Sequence, residues 1–224
     1  MVGIDKNNVT FEGLNNTYVN GTEAKFKVVD SSNAIITDVS LEYGGSLTAD
    51  SEGNYSFTVD GNNKVTATFL DSTHTYKDIT IDFQDATVKQ SDATKDTVLT
   101  ATWSEVEFNV VNCYNFVSKQ LTYLMFHSKT KESVASISSK NTFGKIAFIQ
   151  FVTNSGASAS AEYKLTLSKE VITTPNALEA VNLGKGITYS LVPNLTDEYK
   201  YFSLATTTKA NGQVAKLRVI YATD

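Results

Sequence analysis

Alternating hydrophobicity is the feature that most limits what this chain can fold into. Apolar side chains recur at every second residue through most of its 224 residues, with Thr, Ser, Lys, Asp or Glu between them. Ala24, Phe26 and Val28, for example, alternate with charged residues. A strand buried on one face requires this period, because successive side chains point to opposite faces of a sheet. The pattern therefore predicts an all-β protein.

Short strands with turn residues between them predict antiparallel β-sandwiches with at most a short helix. Gly and Asn at residues 60–63 predict a hairpin, and Asn211-Gly212 predicts the last one. A proline predicts one short helix at residues 175–181. The predicted strands are residues 24–28, 39–43, 55–59, 65–69, 79–83, 97–103, 106–110, 121–126, 146–152, 163–167, 187–191, 199–204 and 214–221.

Two domains are predicted, because strand patterns fill both halves of the chain and each half is long enough for a sandwich of about 100 residues. The boundary is placed near Ser104, which gives a first domain at residues 1–103 and a second at 104–224. Residues 71–75 are the alternative breakpoint, since the chain has no Pro- or Gly-rich linker.

The residues on which most enzymes depend are scarce. Cys113 is the only cysteine and Arg218 the only arginine, and the two histidines, His74 and His127, lie far apart. A single cysteine forms no intrachain disulfide and no cysteine-based zinc site, and neither histidine has a second ligand at zinc-motif spacing. We therefore expect no catalytic residues, no metal and no cofactor. With 24 acidic against 19 basic residues, we also expect no nucleic-acid partner.

Two further features could indicate ligand binding, but a structural role is favoured for both. An acidic run could bind calcium, yet it lacks the tight spacing of a calcium loop, so a solvated edge is favoured. Tyr18, Tyr76 and Tyr199 are the tyrosines expected at the surface, where a ring could contact a host-surface glycan, although packing is favoured for them too. The acidic run comprises Asp78, Asp82, Asp85, Asp92 and Asp96.

The segment at residues 146–152 is apolar on both faces, which predicts either a central strand or a strand that contacts a partner. Charge favours the second half as the docking half: residues 1–103 carry 7 basic and 15 acidic residues, net −8, and residues 104–224 carry 12 and 9, net +3. The alternative is that the segment is an inner strand and the charge difference is accidental. The predicted interface residues are Ile146, Phe148, Ile149 and Phe151.

Three segments of the first half resemble the immunoglobulin-like (Ig-like) modules of bacterial surface proteins and phage virion proteins. They are TEAKFKV at residues 22–28, GNYSFTV at 53–59 and KVTATF at 64–69. The resemblance implies an Ig-like sandwich in this part of the chain and leaves its ligand open. The second half resembles no family.

That resemblance offers two settings, bacterial exported surface proteins and phage particles, and we expect a non-enzymatic structural protein of a bacteriophage virion. We expect a head auxiliary or decoration protein, with a tail or fibre component as the near variant. Its partners would be other virion proteins or copies of itself. The alternative is a bacterial cell-surface adhesin or carbohydrate-binding module whose signal peptide has been removed.

The N-terminal sequence favours the phage setting. It shows no basic start followed by an apolar run, so we expect a protein made in the host cytoplasm without an export signal and located in the virion. No stretch approaches the roughly 18 to 20 apolar residues of a membrane-spanning helix, and we expect no membrane partner.

Overall fold

The computed structural model confirms the predicted all-β fold. Its helical content is a single 3-10 turn, Leu195–Asp197, within the part of the chain described here. Most of the predicted helix at 175–181 lies outside that part, and its last two residues begin a strand instead. The structure describes residues 2–4, 9–30, 35–42, 45–70, 72–83, 88–93, 97–118, 121–127, 134–153, 161–173, 180–182, 188–191, 193, 195–206 and 211–224.

The chain divides into two compact units, Met1–His74 and Thr75–Asp224, here called unit 1 and unit 2. Unit 1 consists of a sheet in the order β1-β7-β4-β5 and a sheet in the order β2-β3-β6. The pairings are antiparallel except for β1 with β7. Its strands are β1 (Val2–Ile4), β2 (Val9–Glu12), β3 (Glu23–Asp30), β4 (Ile35–Leu41), β5 (Gly45–Ser46), β6 (Asn54–Thr58) and β7 (Asn63–Leu70).

The two sheets of unit 1 share one hydrophobic core, as a sandwich requires. Phe26 and Phe57 come from the three-stranded sheet, and Val39 and Val65 come from the four-stranded sheet. The Phe26 and Phe57 rings meet edge to face, with centroids 6.3 Å apart.

The predicted hairpin at residues 60–63 is wrong, because β6 and β7 belong to different sheets. Val59 and Val65 are both buried in the core at either end of the connection, which therefore crosses from one sheet to the other. Gly61 has a φ of +72°, so the turn conformation is the expected one even though the strands that it joins do not pair.

Unit 2 is a larger sandwich of two antiparallel sheets. One sheet has the order β16-β15-β18-β13-β10-β9, and the other has the order β11-β12-β19-β14-β17 with β8 also paired to β19. The strands are β8 (Tyr76–Asp82), β9 (Leu99–Trp103), β10 (Val106–Val111), β11 (Cys113–Ser118), β12 (Leu121–His127), β13 (Ala135–Ser139), β14 (Lys145–Thr153), β15 (Glu162–Ser168), β16 (Ala180–Asn182), β17 (Thr188–Leu191), β18 (Tyr201–Thr206) and β19 (Asn211–Ala222).

The division between the units lies at the alternative breakpoint, residues 71–75, and not near Ser104. Ser104 and Glu105 have φ values of 49° and 66° and form the two-residue turn that joins β9 to β10 within one sheet. A two-residue hairpin with two positive φ angles is a tight connection and cannot separate domains. The strand β8 pairs with β19 near the C-terminus, so it also belongs to unit 2.

A tyrosine hydroxyl joins the two sheets inside unit 2. Tyr163 Oη accepts a hydrogen bond from the Gln213 N–H at 2.7 Å and donates to the Gln213 carbonyl at 3.3 Å. Burial raises the pKa of Tyr163, so this hydroxyl keeps its proton. Gly212 leaves room for the ring, because a Cβ there would lie 2.9 Å from Tyr163 Oη.

The predicted final hairpin at Asn211-Gly212 is therefore also wrong. Both residues lie in β19, and the preceding strand β18 belongs to the other sheet. The glycine is required by the close approach of Tyr163 and not by a turn.

Candidate interaction surface

The predicted interface strand lies inside unit 2. It forms β14, which is paired with β19 on one side and with β17 on the other. Ile146, Phe148, Ile149 and Phe151 are each at most 1% exposed, so none of them offers surface to a partner. The prediction of an interface here is corrected, and the inner-strand alternative is the arrangement found.

Both faces of β14 are covered for different reasons. Ile146, Ile149 and Phe151 belong to the core between the sheets. The register shifts between Ile146 and Phe148, and the Arg218 guanidinium lies over the Phe148 ring, 5.7 Å from its centroid. Asp78 holds that guanidinium by hydrogen bonds from Nε and Nη2 of 3.0 and 2.6 Å. Two-sided hydrophobicity thus reflects a core face and a cation–π contact.

The charge difference shrinks when it is counted over the units found. Residues 1–74 carry 4 basic and 10 acidic residues, net −6, and residues 75–224 carry 15 and 14, net +1. Unit 1 remains acidic, while unit 2 is close to neutral. The net charge of unit 2 therefore supports electrostatic attraction to an acidic partner less than the net charge of residues 104–224 does.

The candidate reactive side chains have structural contacts. The Cys113 thiol is buried, which raises its pKa well above the usual value, and it donates to the Val111 carbonyl at 3.3 Å. His127 Nδ1 lies 3.0 Å from Asn211 Oδ1, and His74 Nδ1 lies 2.9 Å from the Thr73 hydroxyl. In the described ranges, no three His, Cys, Asp or Glu side chains come together as a possible metal-binding group.

The acidic run is spread over different environments. Asp78 is engaged by Arg218, and the backbone N–H of Asp82 donates to the Ser104 hydroxyl at 3.1 Å. Asp92 lies in an exposed turn, while Asp85 and Asp96 lie outside the described residues.

The three tyrosines expected at the surface are all half-buried. Tyr199 packs against the core of unit 2. Tyr18 packs against the core of unit 1, and its hydroxyl accepts a hydrogen bond from the Asn15 N–H at 2.9 Å.

The open surface that the sequence reasoning missed is the outer edge of β9. This strand ends its sheet and pairs only with β10 among the described strands. Val98, Thr100 and Thr102 are exposed, and Val98 is 63% exposed. Residues 97–103 contain no charged residue and no proline, and the pairing of β9 with β10 shows no bulge. Natural edge strands are commonly blunted by one of these devices, so β9 is an unprotected edge within the described part of the chain.

The other edges among the described strands are shorter, covered or bounded by acids that would oppose each other in a pair. In unit 2, β16 and β17 have three and four residues. The edge of β11 is covered, because the Asn115 N–H donates to the Val88 carbonyl at 3.0 Å and its side chain accepts from the Val88 N–H. In unit 1, β6 lies between Glu52 and Asp60, which would lie directly opposite each other if two copies of β6 paired about Ser56.

No protein-family model matches this chain, and no curated protein matches it by sequence. No helical segment in the described part of the chain has the length and hydropathy needed to span a bilayer.

Proposed function

We propose that this chain is a non-enzymatic structural protein of a bacteriophage virion, and that it serves as a head auxiliary or decoration protein. The observation that supports this most is the place of the Ig-like motif in unit 1. GNYSFTV supplies β6 in one sheet and KVTATF supplies β7 in the other, so the two segments form opposite walls of one core. A compact module of this kind suits docking and display better than chemistry.

The contacts of the reactive side chains also favour a structural role. The Cys113 thiol is buried and protonated, and nucleophilic chemistry needs an accessible thiolate. Arg218 is engaged with Asp78 and Phe148, and His127 with Asn211 and the Tyr114 ring. These groups are used to hold strands together.

In this proposal unit 2 docks onto the particle and unit 1 projects from it. The partners are other virion proteins or copies of this chain, and the location is the virion. The acidic charge of unit 1 supports the orientation, because a module with net charge −6 resists adsorption to acidic surfaces.

Purified particles of the phage whose genome encodes this chain give the test. Mass spectrometry should find the chain in gradient-purified particles, and gold-labelled antibodies against unit 1 should decorate intact heads. Labelling of tails instead of heads would identify the protein as a tail component. Absence from the particles, with recovery from the surface fraction of bacterial cells, would overturn the proposal in favour of the adhesin or glycan-binding alternative.

A further inference from the structure

We propose that β9 is a self-association edge, at which two copies of this chain pair their β9 strands antiparallel and join two six-stranded sheets into one. This proposal does not rest on the phage assignment. It rests on the unprotected edge itself, which is five residues long, unbulged and free of charge, with exposed Thr100 and Thr102.

The chemistry of an edge determines its occupant. Unpaired backbone N–H and C=O groups along a strand are satisfied by another extended backbone, so the partner must present a strand. A second copy of β9 supplies one of matching length. Two identical edges related by a two-fold axis form a closed, self-complementary contact and therefore a dimer rather than a filament.

The side chains favour a register centred on Ala101. In that register Thr100 of one copy lies opposite Thr102 of the other, and such β-branched pairs stabilise antiparallel sheets. Glu105 follows β9 at one end, so the two copies of Glu105 would lie at opposite ends of the paired strands. In this register Glu105 lies opposite Thr97 of the second copy, so no like charges lie directly opposite each other. The exposed Val98 would lie beside Ser104 of the second copy and lose solvent exposure.

The first test is the oligomeric state of the full chain. Sedimentation equilibrium over a concentration series should show a monomer–dimer equilibrium for the natural protein. T100K and T102K should each shift it to monomer, because a charged lysine side chain blunts an edge strand, and the two lysines of a dimer would also lie diagonally from each other across the two-fold axis. T58K, at an exposed position of the β6 edge in unit 1, is the matched control and should leave the dimer unchanged.

The second test determines the register of the two paired β9 strands and does not rely on variants that weaken the dimer. An equal mixture of T100C and T102C should form a disulfide-linked dimer under mild oxidation, because Cα atoms directly opposite each other in an antiparallel pair lie about 4.5–5.5 Å apart, within the range that a disulfide spans. Each variant alone should form far less, since position 100 faces position 102 and never its own counterpart. A natural protein that stays monomeric at the highest concentration, a dimer that T100K and T102K leave intact, or a mixture that links no better than its components would each overturn the proposal.

Discussion

The two units differ more in their interiors than in their length. Unit 2 is about twice as long as unit 1. Among the described residues, however, its core holds thirty buried hydrophobic residues and that of unit 1 holds seven. Because the free energy of burial scales with apolar area, unit 2 has the larger reserve of stability.

Unit 1 has a local polar cluster at its surface. The Asp50 carboxylate accepts hydrogen bonds from the backbone N–H groups of Glu52 and Asn54, at 2.9 and 2.8 Å, just before β6 begins. Lys25 Nζ lies 3.3 Å from the same carboxylate. The comparison suggests that unit 1 unfolds first and that its stability responds to surface changes, whereas unit 2 responds to changes in its core.

The largest effect is expected from W103A. Trp103 is 1% exposed and its ring meets Phe83 at 5.2 Å and Phe108 at 5.8 Å. Removing the ring should lower the free energy of unfolding of unit 2 by about 3–5 kcal/mol and leave unit 1 unchanged. Chemical unfolding followed by circular dichroism checks this, and F26A should affect unit 1 alone. If W103A lowered the stability of unit 1 only, the assignment of β9 to unit 2 would be wrong.

The hydroxyl that joins the two sheets of unit 2 should matter less than the ring. Y163F removes the acceptor of the buried Gln213 N–H and should cost about 2 kcal/mol. The matched control is Y201F, at a half-buried tyrosine in the same sheet, for which we expect a change within about 0.5 kcal/mol. Equal midpoints of denaturant unfolding for the two variants would show that the Tyr163 hydroxyl does not stabilise unit 2.

A turn substitution should stabilise unit 2 slightly. Glu105 has a φ of 66°, which costs a non-glycine residue energy, so E105G should raise the free energy of unfolding by about 1 kcal/mol. S104G should gain less, because it loses the hydroxyl that accepts the Asp82 N–H. Thermal melting compares the two. A larger gain from S104G would contradict the role given to that hydroxyl.

The smallest expected effect is on the stability of unit 1 at low pH. Hydrogen bonds from Asn54, together with Glu52 and Lys25, hold the pKa of Asp50 well below its usual value. A carboxyl with a lowered folded-state pKa contributes stability above its unfolded pKa, about 3.9, and loses it as pH falls below that value. The melting temperature of unit 1 should therefore be lower in D50N than in the natural protein at pH 7, and the difference should shrink near pH 3. D60N, at a loop carboxylate after β6, is the control. A difference independent of pH would show that ionisation of Asp50 is not the cause.

The all-β class and most of the strands were predictable because side-chain alternation is a local property of the sequence, but β11 and β13 are not among the predicted strands. Strand pairing was not predictable, since it depends on residues far apart in the chain. The Gly61 turn joins strands of different sheets, while Ser104 and Glu105, which carry no typical hairpin signal, form the tight turn. Without a turn signal at this point, the strand patterns on either side predict a boundary near Ser104.

The candidate site could be predicted only in part. Alternation identifies which side of a strand is apolar, yet it does not show which strand lies at the end of a sheet. Residues 146–152 are apolar on both faces, which predicts either a central strand or a strand that contacts a partner, and the structure places this strand in the interior. The edge strand β9 is noticeable in the sequence only as an alternating segment without charge.

The division at His74 and Thr75 is tested most directly by hydrogen exchange in mild denaturant. Under conditions that unfold unit 1 but not unit 2, the amides of β3, β6 and β7 should lose protection together. Those of β8 and β9 should remain protected along with β10, β13 and β19, because they are paired with these strands or in the same sheet. Loss of protection in β8 and β9 together with β3, β6 and β7, while residues 106–222 stay protected, would contradict the division and restore the boundary near residue 104.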